Sequence, residues 1–169
     1  MTTEPAWLAH ARAELGVHET PGPVSTKRVL EYRTMADMQL GGDDGQVPWC
    51  SIFVAAMMRL AMRSTAPANA MARSWLHWGV PLDVPAPGAV VVLKSATRAA
   101  PAGHVAFATG RWTSTHIEVL GGNQGDRVSI ALFERANVLG YRWPKDMALP
   151  AVLPVVIAAA APVKVVKDA

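Results

Sequence analysis

The chain has 169 residues, 51% hydrophobic and 17% charged, with a formal charge of +3. That length supports one domain with a sizeable core, and that composition excludes a disordered chain. The 16 Lys and Arg are scattered, so nucleic acid is not an expected partner, while weak attraction to an anionic polymer such as a cell wall fits equally well.

In chain order, Thr3 is placed to cap a first helix that Gly16 stops, with Trp7, Leu8, Ala11 and Leu15 on one face. A Pro/Gly turn at 20–23 follows. Ser25 then caps a second helix reaching about Ala36, whose buried candidates are Val29, Leu30 and Tyr32. Residues 41–48 read as a loop, acidic at Asp43 and Asp44. The run from Cys50 to Arg63 is apolar nearly all round until Arg59, so it predicts a central helix. Asn69 caps a short helix ending at Gly79.

From there the pattern has period two. Strands are predicted at 88–94, 104–109, 115–120, 127–132 and 138–143, with a loop at 95–103. Helices first and strands later predict an α+β fold with an antiparallel sheet. From Pro144 the composition shifts to Ala, Val and Pro, which reads as a tail over 145–169 following a domain over 1–144. Its apolar stretch, 148–163, is too short for a membrane span and is broken by Pro150, Pro154 and Pro162, so no stable membrane insertion is expected. The first five residues lack the basic and apolar segments of a secretory signal. The expectation is synthesis in the cytoplasm, with any export through other machinery.

Cys50, the only cysteine, stands at the start of the central helix. A lone cysteine is most often a small buried hydrophobe. A helix start, however, favours an anion and hence a thiolate, and a nearby imidazolium strengthens that preference. His104 opens a strand behind Gly103, on a face continued by Ala106 and Ala108, small enough for a helix to pack closely. It is either a strand-end histidine bonded to backbone or a general base. Asn123 follows Gly121 and Gly122. It is either a turn residue or an acceptor for the imidazole N–H. Cysteine, histidine and asparagine in that order are the parts of a cysteine hydrolase. His10, His18, His77 and His116 have no metal-ligand spacing, and thiolate chemistry needs no Lewis acid. No metal or other cofactor is expected.

The segments 48–54, 72–79, 87–92, 103–107, 120–124 and 140–144 together resemble a bacterial and phage branch of the CHAP and NlpC/P60 peptidoglycan hydrolases. The resemblance covers about residues 6–144. It implies a papain-like fold, with N-terminal helices packed on an antiparallel sheet and a cleft between them. It also implies that Cys50 is the nucleophile, His104 the general base and Asn123 the residue that orients the histidine. CHAP domains often carry a glutamate just before that asparagine, where this chain has Gly121 and Gly122. Gln124 is the nearest alternative for the third role. Papain-like enzymes place a glutamine upstream of the cysteine as oxyanion donor. Gln46 and Asp44 lie in that region, but their spacing selects neither, and the backbone N–H of Cys50 is the preferred donor. Trp49, Trp75 and Trp78 are candidates for the cleft or for the core.

The resulting expectation is a cysteine amidase or endopeptidase that cleaves peptidoglycan peptides, as a lysin or a secreted antibacterial effector. Release through a holin or a secretion system follows from that reading. An immunity protein or delivery machinery would then be a partner besides peptidoglycan. The alternative is a non-catalytic cell-wall or protein binding module of the same fold.

Overall fold

The computed structural model describes residues 4–62, 66–67, 69–95, 97–150 and 155–156. Three α-helices come first: α1 (Ala6–Ala13), α2 (Lys27–Met35) and α3 (Cys50–Met62). A 3₁₀ helix at Ala72–His77 follows. The strands are β1 (Val80–Leu82), β2 (Val90–Lys94), β3 (Gly103–Trp112), β4 (His116–Gly121), β5 (Ser129–Glu134), β6 (Val138–Trp143) and β7 (Val155–Val156). The chain is therefore α+β. Six strands form an antiparallel sheet in the order β1-β6-β2-β3-β4-β5, and β7 lies parallel to β3.

The central helix forms as its apolar run dictates. Every residue from Cys50 to Met58 is buried, with Ser51 the one hydroxyl among them, and charge appears only at Arg59. α3 packs on β3 and β4 on one side and on α1 and α2 on the other. Ile52, Phe53 and Met57 are fully buried there, each stabilising the fold by about 1.5–3 kcal/mol. Ala106 and Ala108 on β3 are fully buried as well, and small side chains at that position let helix and sheet approach closely.

Several local expectations change. α1 has Pro5 at its cap position, and Thr3 lies outside the described residues, as does Arg63 at the end of α3. Leu15 falls beyond the last turn of α1 and is exposed, and Leu30 is exposed on the outer face of α2. Thr26, not Ser25, precedes α2. Its N–H donates to Asp44 Oδ2 at 2.8 Å, while Ser25 Oγ accepts from the Asp44 N–H at 3.2 Å. The short helix after Asn69 is 3₁₀, with Asn69 Oδ1 accepting the Met71 N–H at 2.9 Å. β3 runs on to Trp112, and β5 begins at Ser129 rather than Arg127. β1 was hidden from periodicity because it is three residues long with Pro81 at its centre. Past Pro144, the Trp143 indole donates to Met147 O at 2.8 Å, and Val155–Val156 joins the sheet edge-on to Arg111–Trp112. The remainder of the 145–169 segment beyond Pro150 lies outside the described residues. Among the described residues, no helix is long and apolar enough to cross a membrane.

Candidate active site

Cys50 is the first residue of α3 and His104 the second residue of β3. The packing of α3 on β3 brings the thiol and the imidazole into hydrogen-bond contact. Both are buried, at 4% and 1% exposure. Burial is the largest influence on the thiol and pushes its pKa up. The hydrogen bond and charge of His104, with backbone N–H groups of Val105 and Ser51, more than offset it. The thiol lies below its ordinary value. Two of these contributions come from strand and helix backbone, so the fold itself favours the thiolate.

The ring of His104 is fixed from two further directions. It stacks on Phe133, with centroids 5.3 Å apart and planes at 17°. Its Nε2 lies 3.0 Å from Gln124 Oε1. The roles in that pair follow from the far end of the amide. Gln124 Nε2 is 2.7 Å from Ser129 O, a carbonyl that only accepts. The amide nitrogen therefore faces Ser129 and its oxygen faces the ring. An oxygen there needs a donor, so His104 carries its proton on Nε2. The nitrogen left to exchange a proton with the thiol is Nδ1.

Asn123 does not hold the ring. Its Oδ1 is buried and accepts no hydrogen bond. The residue sits at φ 58°, in the left-handed region that Asn tolerates. It is the turn residue that aims the next side chain, Gln124, at His104. The two glycines before it make the turn fit. A Cβ on Gly121 would stand 2.7 Å from Ala106 Cβ and from Gln124 Oε1. One on Gly122 would stand 2.5 Å from the Trp49 ring. No side chain, including the glutamate that CHAP domains often carry, fits without displacing Ala106, Trp49, Phe53 or Gln124.

The remaining candidates divide. Trp49 and Trp75 are fully buried and Trp78 is 8% exposed, so all three belong to the core, not to a cleft surface. The Trp49 indole donates to Glu19, and the Trp75 indole donates to Ser51 Oγ at 2.9 Å. Asp44 is buried and bonded to Thr26, holding the 41–48 loop against α2 rather than facing a substrate. Gln46 is exposed on that loop. At the start of α3 the Cys50 N–H is one of the first-turn donors with no partner inside the helix, as an oxyanion donor must be.

Three residues escaped the sequence reading. Ser51 donates to Asn69 O at 2.9 Å and accepts the Trp75 indole, pinning the first turn of α3. Its signal was present: one hydroxyl inside an apolar run. Ser129 and Phe133, which brace Gln124 and His104, left no signal that a single sequence displays. A cleft of about 370 Å³ reaches Cys50, with Pro48, Met71, Ala72, Ala99 and Ala102 on its walls and Arg98 at its rim. Among the described residues, no three His, Cys, Asp or Glu side chains are grouped as metal ligands are. In comparisons with known proteins, no family model matches the chain and no curated protein matches it.

Proposed function

We propose that the protein is a cysteine-dependent amide hydrolase of papain-like fold that acts on the peptides of peptidoglycan. The observation that carries this reading is the relay itself. A thiol at a helix start is hydrogen-bonded to an imidazole whose other nitrogen is committed to Gln124. Such a relay suits attack on an amide carbonyl. His104 Nδ1 takes the thiol proton, Cys50 Sγ bonds to the carbonyl carbon and the carbonyl oxygen takes the negative charge, near the Cys50 N–H; the C–N bond then breaks and leaves a thioester. His104 returns the proton through Nδ1 to the departing amine, then activates the water that hydrolyses the thioester. Gln124 keeps Nε2 protonated throughout and stabilises the imidazolium with a neutral dipole. The peptidoglycan assignment rests on the resemblance of the ordered segments around these residues.

The test is digestion of purified sacculi, with mass spectrometry of the released muropeptides. New peptide or amine termini from the wild type, and none from Cys50→Ala, support the proposal. Solubilisation that survives Cys50→Ala would remove it. One observation favours a binding module instead: Cys50 and His104 are both nearly buried. A thiol that stays unmodified by iodoacetamide at neutral pH, in a protein that binds sacculi, would decide for that reading.

A further inference from the structure

We infer that the cleft beside Cys50 is a binding site for a free carboxylate, held by Arg98, and that this contact selects the peptides the enzyme accepts. The identity of those peptides rests on the proposed hydrolytic function; the carboxylate site does not.

Its walls at Pro48, Met71, Ala72, Ala99 and Ala102 are apolar and mostly methyl-sized, and Arg98 is the one charged residue lining it. Arg98 is exposed, and among the described residues its guanidinium has no acidic partner. Its backbone is tethered nonetheless. Ser95 Oγ accepts the N–H of Thr97 at 3.3 Å and of Arg98 at 3.1 Å, which fixes where the side chain starts. The wall beneath it is braced as well, since Arg73 Nε donates to Ala102 O at 3.1 Å. Four of the chain's carboxylates gather elsewhere. Glu19, Asp43, Asp44 and Asp126 are close enough to act on one another electrostatically, and none lines this cleft. A planar, permanently charged fork at the rim of a small apolar slot matches a short aliphatic residue that carries a carboxylate. The wall that would hold that residue is continuous with Cys50.

The site is tested with two small alkylators of nearly equal size, iodoacetate and iodoacetamide. Their rates at Cys50 are taken as a ratio and divided by the same ratio for free cysteine. In low salt the normalised ratio should fall about fivefold from wild type to Arg98→Gln, and about 1 M NaCl should close most of that gap. Arg98→Lys should keep part of the preference, and Arg111→Gln, on an exposed strand position, should keep all of it. Equal ratios in wild type and Arg98→Gln overturn the proposal, as does a Cys50 that reacts with neither reagent. The same proteins are then given muropeptides with the acid free or amidated. Arg98→Gln should raise KM for the free acid alone. If the alkylation ratios shift but no muropeptide is cleaved, the carboxylate site stands and the peptidoglycan reading falls. If both peptides are cleaved alike by wild type and variant, the selection role falls.

Discussion

Two loops flank the Cys50–His104 pair and differ in almost every physical respect. The 121–127 loop turns inward. Gly121, Gly122, Asn123 and Gln124 are all buried, the turn is closed by Gln124 N–H donating to Arg127 O at 3.0 Å, and its glycines allow van der Waals contact with α3 and β3. The 95–103 loop faces outward. Residues 97–101 are exposed, and the loop is held by a serine turn and one arginine brace. The first loop has almost no freedom to adapt and sets the orientation and tautomer of the imidazole. The second leaves a charged side chain at the mouth of the cleft. Substitutions in the first should therefore change kcat, and substitutions in the second should change KM.

The largest effect expected is at the reacting group itself. Cys50→Ala should abolish hydrolysis with the fold retained, checked by thermal melting beside sacculus turbidity. Next comes the inward loop. Gln124→Ala removes the acceptor that fixes the Nε2 proton, so kcat should fall about 10²-fold with KM little changed. Asn123→Gly should keep near-wild-type kcat, because glycine accepts the left-handed turn. Asn123→Ala should lower stability by about 1 kcal/mol while retaining substantial activity. If Asn123→Gly were crippled and Gln124→Ala fully active, the contrast within this loop would be reversed.

The smallest effect lies behind Trp49. Burial first, and then the charges of Asp126, Asp44 and Asp43, push the Glu19 carboxyl above its ordinary value of 4.5, against the Trp49 hydrogen bond that lowers it. The folded state thus holds this proton more tightly than the unfolded chain. Stability falls as pH rises from near 4.5 through the raised value, and above that value the cost is complete. Glu19→Gln keeps an acceptor for the indole and removes the charge. It should melt higher than wild type at about pH 7 and lose that advantage near pH 4. A variant less stable at both pH values would show that Trp49 requires the carboxylate.

The sequence made the scaffold legible where the signals were long or chemical. The all-round apolar run of α3 announced its central place, and Cys50 and His104 were found as the only cysteine and a histidine at a strand start. The third position was ambiguous for a physical reason. Asn123 and Gln124 are adjacent polar residues, and which one turns inward depends on the backbone dihedral at Asn123. That angle follows from how Gly121 and Gly122 pack against Trp49 and Ala106, contacts that cross some 70 and 15 residues of chain. The tryptophans misled in the same way. Their indole N–H groups need partners, which a cleft, a half-buried Glu19 or a buried Ser51 supplies equally well, and only the fold shows which. The cleft wall at 97–102 carries no periodic pattern, so Arg98 read as one scattered charge.

The relay among Cys50, His104 and Gln124 is tested most directly by the pH dependence of iodoacetamide alkylation in wild type and His104→Ala. In the wild type, the rate should rise with a midpoint below the ordinary thiol value of 9.0, because His104 and the backbone N–H groups outweigh burial. In His104→Ala, burial remains and its main counterweight is gone, so the midpoint should move upward and the neutral-pH rate should drop. A wild-type midpoint at or above 9.0, or the same midpoint in both proteins, would contradict the relay.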